Sequence, residues 1–214
     1  MLRNGITLPL FIPDLGVRIV TILVDGDSQE LLASELNRLA LLGSDNAAAL
    51  LTFLHTRAAL DGGQYAATAL ERCQASAATG HAYSKYVMAW VNFARGRHVE
   101  AFGCLKAAIA GKFLPAFIDA ARFATGGVGV ESPDRRAALR ILWAAHKLGH
   151  RLALTMIARH YVGGSAGWLA RGGGLLLYPP AFLRAYIYAS RNPLSEKAFV
   201  VPLDKKPLLR GKRN

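Results

Sequence analysis

Four groups of side chains in this 214-residue chain have types and spacings that could do chemistry. Asp25 and Asp27 follow the apolar run "VRIVTILV", and two carboxylates at a strand end suit a hard divalent cation. "GGSAG", residues 163–167, has the Gly-x-Ser-x-Gly spacing that exposes a serine nucleophile on a sharp strand-to-helix turn, and His160 is near Ser165. His146 and His150 stand four apart, as metal ligands on one helix face do. "GGVG", residues 126–129, is a glycine cluster of the sort that can cradle phosphate.

Each lacks the context its chemistry needs. A carboxylate metal site at Asp25 and Asp27 requires further strands and acids, whereas residues 28–164 read as helix after helix. Asp27 with Glu30 has the spacing of a capping box instead. Ser165 follows "LTMIARHYV", a helical pattern, with no acidic partner for His160 nearby. Gly149 ends a helix between His146 and His150, and Lys147 occupies the place a metalloprotease gives to glutamate. A phosphate loop would follow a strand and end in Gly-Lys-Ser/Thr, and "GGVG" does neither. No catalytic residue, metal or cofactor is expected. His55, His81 and His98 are expected to cap or line helices.

The elements that surround these groups are short and monotonous. Residues 5–12 and 16–24 read as a small β-hairpin about the turn "PDLG". From Asp27 the apolar residues recur every three to four positions, and glycine punctuates the runs at Gly43, Gly62-Gly63, Gly80, Gly96, Gly111, Gly126-Gly127, Gly149 and Gly163. A last helix is expected at 180–190, starting at its proline. Gly80, Gly111 and Gly149, spaced 31 and 38 residues apart, are each expected to supply a left-handed helix cap. Asp134 is expected to cap the helix that follows "GGVG". Helical hairpins in series bury their apolar faces by stacking. The organisation expected is therefore an N-terminal extended segment at 1–26, an all-α helical repeat domain at 27–192 and a basic tail at 193–214.

Composition agrees with a folded chain. Hydrophobic residues make up 52% and charged residues 19%, which is not the balance of a disordered protein. No run of 18 residues is apolar without charge, so no membrane span is expected. Cys73 and Cys104 lie in apolar helical patterns and are expected to be small buried side chains in a reducing, cytoplasmic-type compartment. Charge is unevenly spread. Residues 1–71 hold four Lys/Arg and eight Asp/Glu, whereas residues 72–214 hold 22 and six. The counterpart implied is either an acidic partner, whether protein, nucleic acid or membrane headgroups, or water around a solvated arginine-rich surface. Arg135, Arg136, Arg140, Lys147 and Arg151 form the densest internal basic cluster.

Ala116, Gly127, Gly129, Val130, Asp134, Ala138, Ala145 and Gly149 fall in an ordered pattern, and Ala153, Tyr161 and Gly164 restart it 37 residues on. In these positions the chain resembles the Sel-one-like repeats, relatives of the tetratricopeptide repeats, over residues 116–164. The resemblance implies an α/α solenoid of about four helical hairpins. It implies a non-catalytic adaptor or scaffold that holds a protein or peptide on the inner faces of helices near 82–94, 113–124 and 151–162. On that reading Trp90 and Tyr161 join the basic cluster as partner-binding residues. The second expectation is nucleic-acid binding through the basic C-terminal two-thirds. The apolar segment 172–189 is expected either to cap the array or to dock a partner or a second copy of the chain.

Overall fold

A computed structural model of the chain describes residues 29–56, 64–163, 167–191 and Lys197. The expected hairpin at 5–24, the Asp25/Asp27 pair, Ser165 and the tail beyond Lys197 lie outside the described residues. Every described regular element is an α-helix: α1 Gln29–Leu41, α2 Asp45–Thr56, α3 Gln64–Ala78, α4 Ala82–Ala94, α5 His98–Ala110, α6 Leu114–Gly126, α7 Arg135–Lys147, α8 Ala153–Val162 and α9 Gly167–Arg191. Consecutive helices pack on one another within each of two compact units, α1–α5 and α6–α9, which divide between Phe113 and Leu114.

The first unit is organised about α4. Tyr83, Ser84 and every residue from Tyr86 to Asn92 are buried, so this helix has almost no solvent face. Its aromatic residues build a continuous cluster. Tyr86 lies 6.5 Å from Phe53, 6.4 Å from Trp90 and 5.0 Å from Phe113, centroid to centroid. Trp90 meets Phe93 edge-on at 5.7 Å. Such pairs add to the area they bury because ring edges and faces carry opposite partial charge. Besides its sequence neighbours, α4 packs on α2, and α1 packs on α3.

Helix ends follow local chemistry. Asp134 is extended at φ −115° and its carboxylate accepts the Ala137 N–H at 2.8 Å, capping α7 as expected. Gly80 and Gly149 are left-handed, with φ of 108° and 89°. Gly111 departs from expectation: its φ is −77°, and the left-handed residue there is Lys112. Glycine at 111 serves close approach instead. A Cβ on it would stand 2.6 Å from the Cβ of Ala82 at the start of α4.

The last helix also departs from expectation. It runs from Gly167 through Pro179 and Pro180 to Arg191, not from 180. Proline removes a backbone donor and crowds the carbonyl four residues back. Here those carbonyls belong to Leu175 and Leu176, both exposed, so water can serve them. What holds the helix is a seam of small residues, Gly174, Ala181 and Ala185, all buried, on a helix that packs against α8. A Cβ on Gly174 would lie 2.8 Å from Ala158 O, Tyr161 Cβ and Val162 N.

Two glycines on one helix pair test this packing with opposite signs. Gly103, in the middle of α5, has open space where a Cβ would go. Gly103→Ala is expected to raise stability by roughly 0.5–1 kcal/mol through helix propensity. Gly111→Ala is expected to lower it by roughly 1–3 kcal/mol through overpacking. Urea denaturation of the two variants against the parent measures both.

Candidate functional site

The predicted basic cluster resolves into two places. Three- and four-residue steps along α7 put Arg136, Arg140, Trp143 and Lys147 on one ridge, all exposed. Ala138, Leu142 and Ala145 form the buried face opposite. Trp143 stands edge-on to His146 at 5.8 Å. The result is a solvent-facing row of three cations with an indole between them. Arg135 is exposed but off this row, and its charge acts on His160.

Arg151 belongs elsewhere. It lies in a cleft of about 360 Å³ lined by Arg151, Arg184, Ile187, Tyr188 and Arg191. Its guanidinium sits 5.0 Å from the centre of the Tyr188 ring, and its backbone N–H donates to Lys197 O at 2.7 Å. Among the described residues the cleft wall contains three guanidiniums and no carboxylate.

The two predicted aromatic contacts differ in exposure: Trp90 is buried and Tyr161 is half-buried. Trp90 is only 7% exposed, enclosed by the aromatic cluster of α4. Tyr161 faces Gly174 at the seam between α8 and α9. Aromatic type alone does not separate a core ring from a contact ring. Phe117 and Phe123 are likewise buried.

A cleft absent from the sequence reading lies in the first unit. It has a volume of about 400 Å³ and crosses three helices: Gln74, Ala77 and Ala78 of α3, Lys85, Met88 and Asn92 of α4, and Glu100, Gly103, Cys104 and Ala107 of α5. Small side chains line it, with open space where a Cβ on Gly103 would go. Lys85 and Glu100 give it charges of both signs. The signal available in sequence was the run of Ala and Gly at 77, 78, 103 and 107.

Several polar groups inside the fold have local partners, whereas among the described residues Tyr83 Oη and Thr155 Oγ1 are buried without a hydrogen bond. His81 Nδ1 caps α4 by accepting the Ser84 N–H at 3.3 Å, and it lies 2.7 Å from Ser84 Oγ. Ser84 is fully buried and its hydroxyl donates to Ser76 Oγ at 3.1 Å, so the serine of this Ser–His pair is enclosed. Burial pushes the Cys73 thiol up to about 11, against weaker opposing hydrogen bonds from Ser84 and Thr52. Burial also raises the Cys104 thiol, although that residue is only half-buried. Both cysteines are free. Asp119 is buried and pairs with Arg122 at 3.2 Å. His146 is half-buried and His150 fully buried. Among the described residues no three His, Cys, Asp or Glu side chains gather as metal ligands would.

Comparison with family models, with curated proteins and with solved structures finds no match to this chain.

Two half-buried histidines make stability depend on pH. Burial lowers His81 below the ordinary imidazole value of 6.5, with Asp45 opposing. Burial and then the Arg135 charge lower His160, whose Nε2 lies 3.2 Å from Thr125 Oγ1. The unfolded chain binds protons near pH 6.5 that the folded chain refuses, so acid favours unfolding. Stability is expected to be full above pH 6.5 and to fall as pH drops through the lowered folded values. His160→Gln, which keeps a hydrogen-bonding group, is expected to flatten part of that fall in denaturation midpoints measured from pH 7.5 to 5.

Proposed function

We propose that the protein is a non-catalytic adaptor built from tetratricopeptide-like hairpins of the Sel-one-like kind, stacked as a solenoid, and that it holds an extended peptide in the α3–α4–α5 cleft. The observation that carries this reading is the cleft itself: it crosses three successive helices, is floored by Met88 and opened by Gly103, and has Lys85 and Glu100 to fix a peptide's orientation. A groove lined by apolar and small residues with a few polar groups is what peptide recognition uses. The free cysteines suit a reducing, cytoplasmic-type compartment.

One observation favours a second reading. The α7 ridge of Arg136, Arg140, Trp143 and Lys147 offers cations for phosphates and an indole for base stacking. On this reading the partner is single-stranded nucleic acid.

The two readings part on separate variants. Peptides selected by display on the full chain are expected to lose about tenfold or more in affinity with Gly103→Phe, which fills the cleft, and none with Arg136→Glu plus Arg140→Glu. Binding of a labelled oligonucleotide would behave in the opposite way. Three phosphate contacts would give a log–log salt slope of roughly −2 to −3, largely removed by the two charge reversals. Failure of display to enrich any peptide sensitive to Gly103→Phe removes the adaptor reading.

A further inference from the structure

Helix α9 carries two faces that its packing cannot both satisfy. Gly174, Ala181 and Ala185 meet α8. At 100° per residue, the side opposite that seam is an arc of about 140°. It holds Trp168, Leu175, Leu176, Pro179, Phe182, Leu183 and Tyr186, bordered by Leu169 and Ile187, and no charged residue. These side chains are water-facing: Leu176 is 81% exposed, Trp168 80% and Tyr186 64%. The stripe extends over about 28 Å of helix. A contiguous apolar surface of that size marks a docking site.

Charge identifies the occupant. From Arg135 to Ser195 the sequence contains nine Lys/Arg and no acidic residue. On α9 the arginines flank the apolar arc: Arg171 stands beyond the Phe182 edge, and Arg184 and Arg191 stand beyond the Ile187 edge. Ile187 lines both the stripe and the cleft where Arg184 and Arg191 converge with Arg151. Among the described residues none of these arginines pairs with a carboxylate. Apolar surface edged by guanidiniums that no described carboxylate meets matches an anionic bilayer surface, with acyl chains beneath the stripe and phosphates at its margins. A second copy fits less well, because two α9 helices laid face to face would bring arginines together with no acid between them. No helix among the described residues is long and apolar enough to cross a membrane, so the geometry is that of a helix lying in the interface.

We infer that α9 is a monotopic membrane-docking helix. Its outward face inserts into the headgroup–acyl boundary, and the Arg151–Arg184–Arg191 cleft receives the phosphate of an anionic phospholipid. Tyr188, 5.0 Å beneath the Arg151 guanidinium, holds that group at the cleft wall. This places the adaptor on a lipid surface and does not depend on which partner the cleft of the first unit takes.

The test is flotation of the full chain with vesicles of phosphatidylcholine, with and without phosphatidylserine. Binding is expected only with phosphatidylserine present. Arg184→Glu with Arg191→Glu is expected to lower it by about tenfold or more. Leu176→Glu with Leu183→Glu, both at exposed positions, is expected to abolish it while leaving far-UV helicity unchanged. Equal binding to both vesicle types would overturn the headgroup assignment. Undiminished flotation of the leucine variant would overturn the insertion of α9. So would a dimer in solution that the leucine variant dissociates without any vesicle binding by the parent.

Discussion

Close approach of helix backbones through small residues is the constraint on which this structure rests. In the first unit the end of α5 meets the start of α4 at Gly111 and Ala82. In the second, α9 meets α8 through Gly174, where a single added carbon would strike three atoms. Glycine and alanine at these points bring whole helices into contact over their length, and dispersion between close-packed atoms accumulates with every pair. The larger side chains are then displaced to other faces. On α4 they have neighbours on all sides and become the aromatic core. On α9 they have neighbours on one side only, and the remainder meets water.

That asymmetry is the physical origin of the proposed membrane contact. A helix that spent its large residues on α8 would leave a polar exterior. Helix α9 does the reverse: small residues face inward and Trp, Leu, Phe and Tyr face outward. The basic ridge of α7 and the arginine cleft share the same compact unit. From Arg135 to Ser195 that unit sets cations beside apolar surface with no acid in the sequence between them, whereas the first unit has a cleft with both signs of charge. Two kinds of recognition, one for lipid and one for peptide, are assigned to two separately cored units.

Much of the helical order was legible in the chain. Helices α3 to α7 begin and end within a few residues of the glycine punctuation, and Asp134 was recognisable as a cap from its place before a periodic run. Other features were not. Gly111 and Gly80 look alike in sequence, yet one opens space for a neighbouring helix and the other takes a left-handed backbone. That distinction depends on what lies across the hairpin. The last helix read as starting at Pro180, because the sequence does not show that Leu175 and Leu176, four residues before the two prolines, are exposed. Trp90 read as a contact residue although it is buried, because ring type does not encode burial. Arg151 read as part of the α7 cluster, because its companions Arg184 and Arg191 lie more than thirty residues further along the chain.

The central claim is that α9 is a continuous helix held on α8 by its small-residue face with its large apolar face outward. Hydrogen–deuterium exchange of the full chain without lipid tests it most directly. The account predicts slow exchange for amides from Ala181 to Tyr188, beyond the prolines, comparable to those of α8, and a common loss of protection in both helices on Gly174→Leu. Exchange of 181–188 as fast as an unstructured peptide, or protection unaffected by Gly174→Leu, would contradict it.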